Sequence, residues 1–367
     1  MSKGIDKVIL DKGVQEYRST KSILLHLKEI PVMTERDDGP EEVPCVSDEM
    51  KMDMGKDTMH LVSYQGEFLK PCPGTREYIC CGYQILNVGT NCPLDCSYCI
   101  LQAYFNRPNL RVHVNLEEQL GQVFQTIDSD PDKIFRVGTG EFTDSLALDP
   151  IIRWSETILR GFSERKNAVL ELKTKTANTA GLLGSEYRDR IIVSWSLNSP
   201  FISRREEHGA VSLTRRLECA RECQSEGFTI GFHFDPIIQH SDWKAEYRKT
   251  VDLMAKYIEP EGIIWMSLGS FRFMPALKPI IRRRHPETSI LDGEFVLGLD
   301  GKMRYFKPIR MELYAFLNEL LHQWHPDLGL YLCMESNEVW QESMGWRPET
   351  SEGLGNYLDE RVRNFFG

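Results

Sequence analysis

From residue 83 to residue 268 the chain alternates between short apolar runs and longer stretches with apolar residues at helical spacing. The runs at 83–88, 134–137, 168–172, 191–197, 229–234 and 263–268 are strand candidates. Residues 116–129, 150–161, 214–226 and 242–257 carry helix-like spacing and separate most of those runs. Such alternation implies parallel β/α units, in which chemistry collects at the C-terminal strand ends. Six units predict an α/β fold, a partial (β/α)6 barrel open on one side. A doubly wound open sheet is the alternative that pattern alone leaves standing.

The flanks divide the chain into an N-terminal extension over 1–82, the barrel over 83–289, and a C-terminal hairpin and helical region over 290–367. In the extension, residues 8–10 read as a short strand and 14–27 as a helix. Residues 35–57 are acidic, polar and interrupted by Gly39-Pro40, so a loop or linker is expected. Pro71, Pro73 and Gly74 mark a turn. Residues 290–308 read as a hairpin with Asp300-Gly301 as a two-residue turn. Residues 311–324 form an amphipathic helix, and 331–346, with Trp340 and Trp346, read as a packing tail.

The whole, 367 residues with 41% hydrophobic and 27% charged, is ordinary for a globular protein, and no apolar run approaches a membrane span. The opening residues M-S-K-G-I-D-K lack an apolar core after their charges, so no signal peptide is expected. Ten cysteines, three of them clustered, point to metal binding in a reducing cytoplasm and not to a disulfide scaffold. A formal net charge of −10 works against non-specific DNA binding and leaves room only for a local basic patch.

The clustered cysteines are Cys92, Cys96 and Cys99, in G-T-N-C-P-L-D-C-S-Y-C-I-L-Q. This spacing lets one short loop aim several thiolates at one metal centre, zinc or iron–sulfur. No second ligand pair of the kind zinc sites use follows, whereas three thiolates on a cubane leave one iron for a ligand that is not protein. A structural zinc knuckle and buried free thiols remain the bland alternatives. Cys72 and Cys45 read as bystanders, and Cys80 and Cys81 as the bystanders nearest the cluster.

Later strand ends carry further polar groups. The second ends in R-V-G-T-G-E, where Gly138 and Gly140 let a ligand approach the backbone and Glu141 offers a carboxylate to an ammonium. Thr143, Asp144 and Ser145 follow; Lys173 to Lys175 end the third strand, and Ser194, Ser196 and Asn198 decorate the fourth. Lys175 suits a ligand carboxylate. His233 and Asp235 lie in G-F-H-F-D-P, where a satisfied core histidine competes with a catalytic one. Arg272, between aromatics, is a candidate substrate contact, and Arg282 to His285 form a basic run that a solvated helix face explains equally well. Lys302, Arg304 and Tyr305 make the hairpin basic and aromatic, suited to phosphates and stacked bases.

The chain resembles the spore photoproduct lyase family of radical S-adenosylmethionine (SAM) proteins. The resemblance rests on C-x3-C-x2-C-x-L-Q over Cys92 to Gln102, the polar segment Glu141 to Asp144, and Thr174-Lys175. It extends through Trp195 to Asn198, Gly231 to Ile237, and Arg272-Phe273. It implies a [4Fe-4S] cluster on Cys92, Cys96 and Cys99, with SAM on the fourth iron. Gly138, Gly140, Glu141, Thr143, Lys175 and Asn198 would position SAM, and Glu141, His233 and Arg272 would be the catalytic set. The implied reaction is reductive SAM cleavage to a 5′-deoxyadenosyl radical, which in the lyase proper opens a methyl-bridged thymine dimer. There a cysteine returns the hydrogen, supported by a tyrosine.

Both relay positions depart here, with Glu141 at that cysteine and Ile100 at that tyrosine. The hairpin has Leu299-Asp300-Gly301 where the family carries an arginine-tyrosine pair. Cys219, Cys223 and Cys333 fall in helix or tail contexts, poor places for a substitute thiol. The resulting expectation is a radical SAM enzyme acting on damaged pyrimidine DNA or a nucleotide, with Lys302, Arg304 and Tyr305 at the substrate. Radical modification of a peptide or small metabolite, and a non-catalytic iron–sulfur or zinc module, are the other readings. A reducing partner such as flavodoxin or ferredoxin is implied.

Overall fold

The structure, a computed structural model, describes residues 4–34, 55–75 and 77–367. Cys45 and most of the expected linker over 35–57 lie outside the described residues.

All six expected strands form, as Gln84–Leu86, Phe135–Gly138, Ala168–Thr174, Ile191–Ser196, Thr229–Ile237 and Ile263–Ser270. They lie side by side in chain order, each parallel to the next. A doubly wound sheet would reverse its strand order at a switch point, and none occurs here. The sheet is therefore a partial barrel, flanked by Leu330–Leu332 in parallel at one edge and Leu69–Pro71 antiparallel at the other. The inner strands are buried almost throughout, as expected where helices cover a parallel sheet.

The helices follow their apolar stripes. Leu116, Leu120, Val123 and Ile127 bury one face of Leu116–Asp128. The single helix expected over 150–161 is two, Asp149–Ile152 and Trp154–Ser163, broken where Arg153 takes φ 53°. The Asp149 carboxylate spans the break, accepting from the Ser155 amide at 2.9 Å and hydroxyl at 2.6 Å.

The N-terminal residues do more than precede the barrel. Lys7–Leu10, Val32–Thr34, Thr58–Val62, Leu110–His113 and Gly89–Thr90 make a second, five-stranded sheet. It takes strands from both sides of residue 82, and Val8, Leu61 and Val112 share one apolar core with the barrel strands. The expected helix over 14–27 appears as a short 3-10 turn, Val14–Glu16, then Arg18–His26.

In the C-terminal region the hairpin pairs Phe295–Leu297 with Met303–Tyr305. Its loop is Leu299-Asp300-Gly301, closed by the Gly298 amide donating to the Lys302 carbonyl at 2.8 Å, with Gly301 at φ 73°. The two-residue turn expected at Asp300-Gly301 is thus a three-residue loop ending in a left-handed glycine. The expected tail supplies the sheet's seventh parallel strand and a helix, Asn337–Met344, capped by Ser336 and ended by Gly345. Among the described residues no helix is long and apolar enough to cross a membrane.

Candidate active site

The cysteine loop leaves the Gly89–Thr90 strand and enters a short helix, Leu101–Tyr104. Its backbone is fixed from behind. Asn91, at φ 68°, donates to the carbonyls of Arg107 at 2.7 Å and Asn109 at 2.8 Å. Asp95–Cys96 pairs with Glu207–His208 as a two-residue antiparallel ladder. The Gln102 amide donates to the carbonyls of Ser97 at 2.9 Å and Cys99 at 3.2 Å, which gives the glutamine of the cysteine motif a structural reason. The Tyr98 hydroxyl donates to Glu207, and Glu207 is paired with Arg216. Arg284, from the basic run, turns inward to Asp95 at 2.8 Å and to Gln102. That member of the run is not part of a solvated face.

Fixed in this way, the loop lines a cavity of about 670 Å³ with Cys92, Cys96 and Cys99. The volume suits a small-molecule ligand. Glu141, Lys175, Ser196, Asp235 and Arg272 reach the same cavity from the C-terminal ends of successive barrel strands. Burial pushes the Cys96 thiol up to about 12, against the pull of Lys175, and pushes Cys92 well above its ordinary value. Three soft thiols from one braced loop fit an iron–sulfur cluster, whose positive irons would offset that burial. Among the described residues no three of His, Cys, Asp and Glu converge on a single ion. A cubane's ligands bind separate irons, so they need no common point.

The strand-end residues divide by role. Gly138 is required for packing, because a Cβ there would lie 1.5 Å from the Tyr83 hydroxyl oxygen. It does not line the cavity, so the expected ligand approach rests on Gly140, where a Cβ would meet Lys173 Cβ at 2.8 Å. Glu141 and Thr143 line the cavity. The Glu141 carboxylate accepts from Lys173, a lysine whose ammonium form Glu141 and Glu171 sustain against burial. Asp144 is a buried brace, accepting from the amides of Leu146, Ala147 and Lys175 and from the Thr174 hydroxyl. It thereby sets the strand end that carries Lys175.

Asn198 departs from its expected place. It is 1% exposed, donates to the Pro236 carbonyl at 2.8 Å, and accepts from the Tyr247 hydroxyl at 2.6 Å and the Ser199 amide at 3.0 Å. Its polar atoms serve the core and not the cavity, because the fourth strand ends at Ser196 and the chain then turns away. Ser196 holds the cavity position instead.

His233 lines the cavity but is fully engaged, with Nε2 2.8 Å from Glu171 and Nδ1 2.6 Å from the Ser267 hydroxyl. Glu171 also accepts from Ser194 at 2.5 Å and Trp265 at 2.9 Å. Burial alone would raise the Glu171 carboxyl, yet His233 and Lys173 hold it well below the usual carboxylate range. Arg272 lines the cavity too, with its guanidinium 3.3 Å from both Asp235 and the Cys333 sulfur.

The hairpin residues separate. Lys302 reaches the cavity mouth beside Asp300. Arg304, 1% exposed, pairs with Asp300 at 2.7 Å and lies over the Tyr78 ring at 4.1 Å. Tyr305 is fully buried and stacks on Phe295 at 4.6 Å, its hydroxyl oxygen accepting from the Gln239 amide. The expectation that both face a nucleic acid is corrected here. The hairpin is zipped to Arg272–Phe273, and its inner face fills with aromatic rings.

Sequence reasoning passed over Cys72, which lines the cavity while Cys80 and Cys81 do not. Its signal was the turn marked by Pro71, Pro73 and Gly74, which follows the edge strand Leu69–Pro71 and brings Cys72 to the cavity. The bracing pair Glu207 and Arg216 was also missed, since neither stands in a motif.

The sequence profile of the family described as Spore photoproduct lyase matches residues 41–324. A spore photoproduct lyase of a Geobacillus species is 26% identical over 223 residues, 60% of this chain and 63% of that protein. The Bacillus subtilis spore photoproduct lyase is 25% identical over 222 residues, 59% and 63% of the two. The matches thus span just under two thirds of the length of these curated relatives. A solved spore photoproduct lyase mutant with dinucleoside spore photoproduct superposes with TM-score 0.79 at 21% identity, covering 89% of this chain and 98% of that one. A double mutant with bound AdoMet and the same dinucleoside gives 0.80 at 21%, covering 92% and 100%. These likenesses establish the fold.

Proposed function

The chain belongs to the spore photoproduct lyase family, and on that premise we propose that it is a radical SAM enzyme of altered final chemistry. The observation that carries this reading is the common cavity of Cys92, Cys96, Cys99, Glu141 and Lys175 at the C-terminal end of the partial barrel. Cys92, Cys96 and Cys99 would hold three irons of a [4Fe-4S] cluster, with SAM on the fourth. When bound, this pair supplies one-electron cleavage of SAM to a 5′-deoxyadenosyl radical.

The chain's own residues hold and shield. Glu141 would take the SAM ammonium and Lys175 its carboxylate, with Gly140 and Thr143 beside them. Lys173 holds the Glu141 carboxylate in position. Phe142, Phe271 and Met334 wall the cavity with apolar surface that excludes water and competing quenchers. His233, held by Glu171 and Ser267, and Arg272, held by Asp235, add polar groups to its lining.

The substrate class is a damaged pyrimidine, in DNA or as a nucleotide. The relatives' names and the dinucleoside bound by the solved relatives support it. Lys302, the hairpin cation that lines the cavity, would meet such a substrate. Glu141 and Ile100 at the relay positions set the chemistry apart, since neither a carboxylate nor an alkyl group donates a hydrogen atom readily. A reducing partner of the flavodoxin or ferredoxin type and a cytoplasmic location complete the reading.

The test is anaerobic reconstitution, with iron and sulfide analysis and electron paramagnetic resonance of the reduced protein before and after SAM. A [4Fe-4S] signal that SAM perturbs is expected. Full cluster retention after Cys92, Cys96 and Cys99 are all changed to alanine would end the reading. Dinucleoside lesion binding, compared with a peptide panel, then separates pyrimidine from peptide substrates.

A further inference from the structure

We propose that Cys72 is the hydrogen-atom donor that returns the substrate radical to a closed-shell product. The inference rests on the radical reading just given and deepens it.

Removing a hydrogen atom from a closed-shell substrate leaves a carbon radical. That radical becomes a stable product only by losing an electron or gaining a hydrogen atom. Gain is downhill from a thiol, because an S–H bond is weaker than the C–H bond it makes. The carboxylates, ammonium groups and aliphatic hydroxyls around this cavity hold hydrogen too strongly, or hold none, and the Tyr98 phenol is engaged by Glu207. Ile100 and Glu141 therefore leave a vacancy in the chemistry, which a thiol from elsewhere fills, with the Tyr104 phenol as its rival.

Among the described cysteines outside the cluster loop, Cys72 alone lines the cavity. Cys219 and Cys223 are buried on the helix Leu213–Ser225, and the Cys333 sulfur is taken up by Arg272. Cys72 is held in place. It follows the edge strand Leu69–Pro71, its amide donates to the Tyr83 carbonyl at 2.8 Å, and its carbonyl accepts from the Gly74 amide at 2.7 Å. The paired strand Gln84–Leu86 runs beside Phe135–Gly138, whose following turn carries Glu141. The thiol is thus displaced sideways from Glu141 across the barrel edge while facing the same space. Burial and then the nearby Glu141 carboxylate hold it in the S–H form, the form that can donate.

The step balances as follows. The Cys72 S–H bond breaks homolytically, the hydrogen atom forms a C–H bond on the substrate radical, and a Cys72 thiyl radical remains. One electron from the external low-potential reductant that serves the cluster, with one proton from solvent, restores the thiol.

The experiment uses the full chain, reconstituted anaerobically, with SAM, dithionite and the dinucleoside methyl-bridged thymine dimer in deuterated water. Thiols exchange with solvent, so wild-type product should carry a deuterium, read by mass spectrometry. Cys72→Ser should still form 5′-deoxyadenosine while its yield of closed-shell product falls about tenfold or more. A second readout needs no turnover: alkylation of Cys72, mapped by peptide mass spectrometry, should slow when the dinucleoside is present. Undeuterated wild-type product, an unchanged Cys72→Ser yield, or alkylation indifferent to the dinucleoside would each overturn the assignment. So would loss of product in Tyr104→Phe with Cys72→Ser intact, which would name the phenol at the cavity mouth instead. Absence of 5′-deoxyadenosine from the wild type would instead sink the radical reading itself.

Discussion

The Glu207 carboxylate meets the Arg216 guanidinium at 2.5 Å with both side chains fully buried, directly behind the cysteine loop. Glu207 also receives the Tyr98 hydroxyl and shares a backbone ladder with Cys96. Arg216 donates to the carbonyls of Ser196 and Val211, so one ion pair ties the cysteine loop to the fourth strand end. Replacing only the cation leaves a buried carboxylate uncompensated, at a cost of about 3–5 kcal/mol. Arg216→Met should lower stability by that order in denaturant unfolding and lower the iron retained after reconstitution. Arg216→Met with Glu207→Leu should recover much of the stability. If the single change leaves both measurements untouched, the brace is unimportant.

Gly138 and Tyr83 make a second pair whose cost can be read directly. A methyl at residue 138 would sit 1.5 Å from the Tyr83 hydroxyl oxygen, so the ring must move or the strand must shift. Gly138→Ala should cost about 1–3 kcal/mol through overpacking. Adding Tyr83→Phe removes the clashing oxygen and should return part of that loss. A double-mutant cycle measures the coupling. Additive changes would mean that the clash is relieved elsewhere.

On the proposed reading Glu141, which now accepts from the Lys173 ammonium, would exchange it for the ammonium of SAM. Glu141→Gln removes the charge from that contact. Hydrogen bonds to charged groups contribute about 1.5–3 kcal/mol, so SAM affinity should fall about tenfold or more. Calorimetric titration of SAM onto both reconstituted proteins is the measurement. Equal affinities would take Glu141 out of the ammonium site.

His113 gives the acid limb of stability. It is 2% exposed, stacks on Tyr64 at 4.3 Å, and its Nδ1 lies 2.8 Å from the Asn87 carbonyl. Burial pushes its pKa down to about 4, against the Asn87 hydrogen bond. The unfolded chain takes up this proton near pH 6.5 and the folded one only near pH 4, so stability falls as pH drops through that window. The loss is about 3 kcal/mol in total, and the contribution is intact above pH 6.5. His113→Phe should flatten the curve over that range, at the expense of the Asn87 hydrogen bond. An undiminished slope would assign the acid limb to other groups.

Strand–helix alternation made the barrel legible because its strands carry short apolar runs, as in Ala168–Thr174 and Ile263–Ser270. The N-terminal sheet was not legible in the same way. Val32–Thr34 and Gly89–Thr90 are too short to show a period, and their pairing is set by distant partners. The cysteine motif announced the site, since its chemistry lies in local spacing. Asn198 and Tyr305 misled for one shared reason. Residue type gave the polar or aromatic group, but only the tertiary fold decides whether it faces a cavity or a core. Cys72 was hidden for the converse reason, a bystander by sequence that an edge strand carries into the site.

The central claim is that Cys92, Cys96 and Cys99 build a centre that cleaves SAM. Anaerobic wild-type protein, reconstituted with iron and sulfide and given SAM and dithionite, should accumulate 5′-deoxyadenosine on chromatography. The protein with all three cysteines changed to alanine should form none above the protein-free control. Equal 5′-deoxyadenosine from both proteins, or none from a wild type that carries a full cluster, would contradict the account.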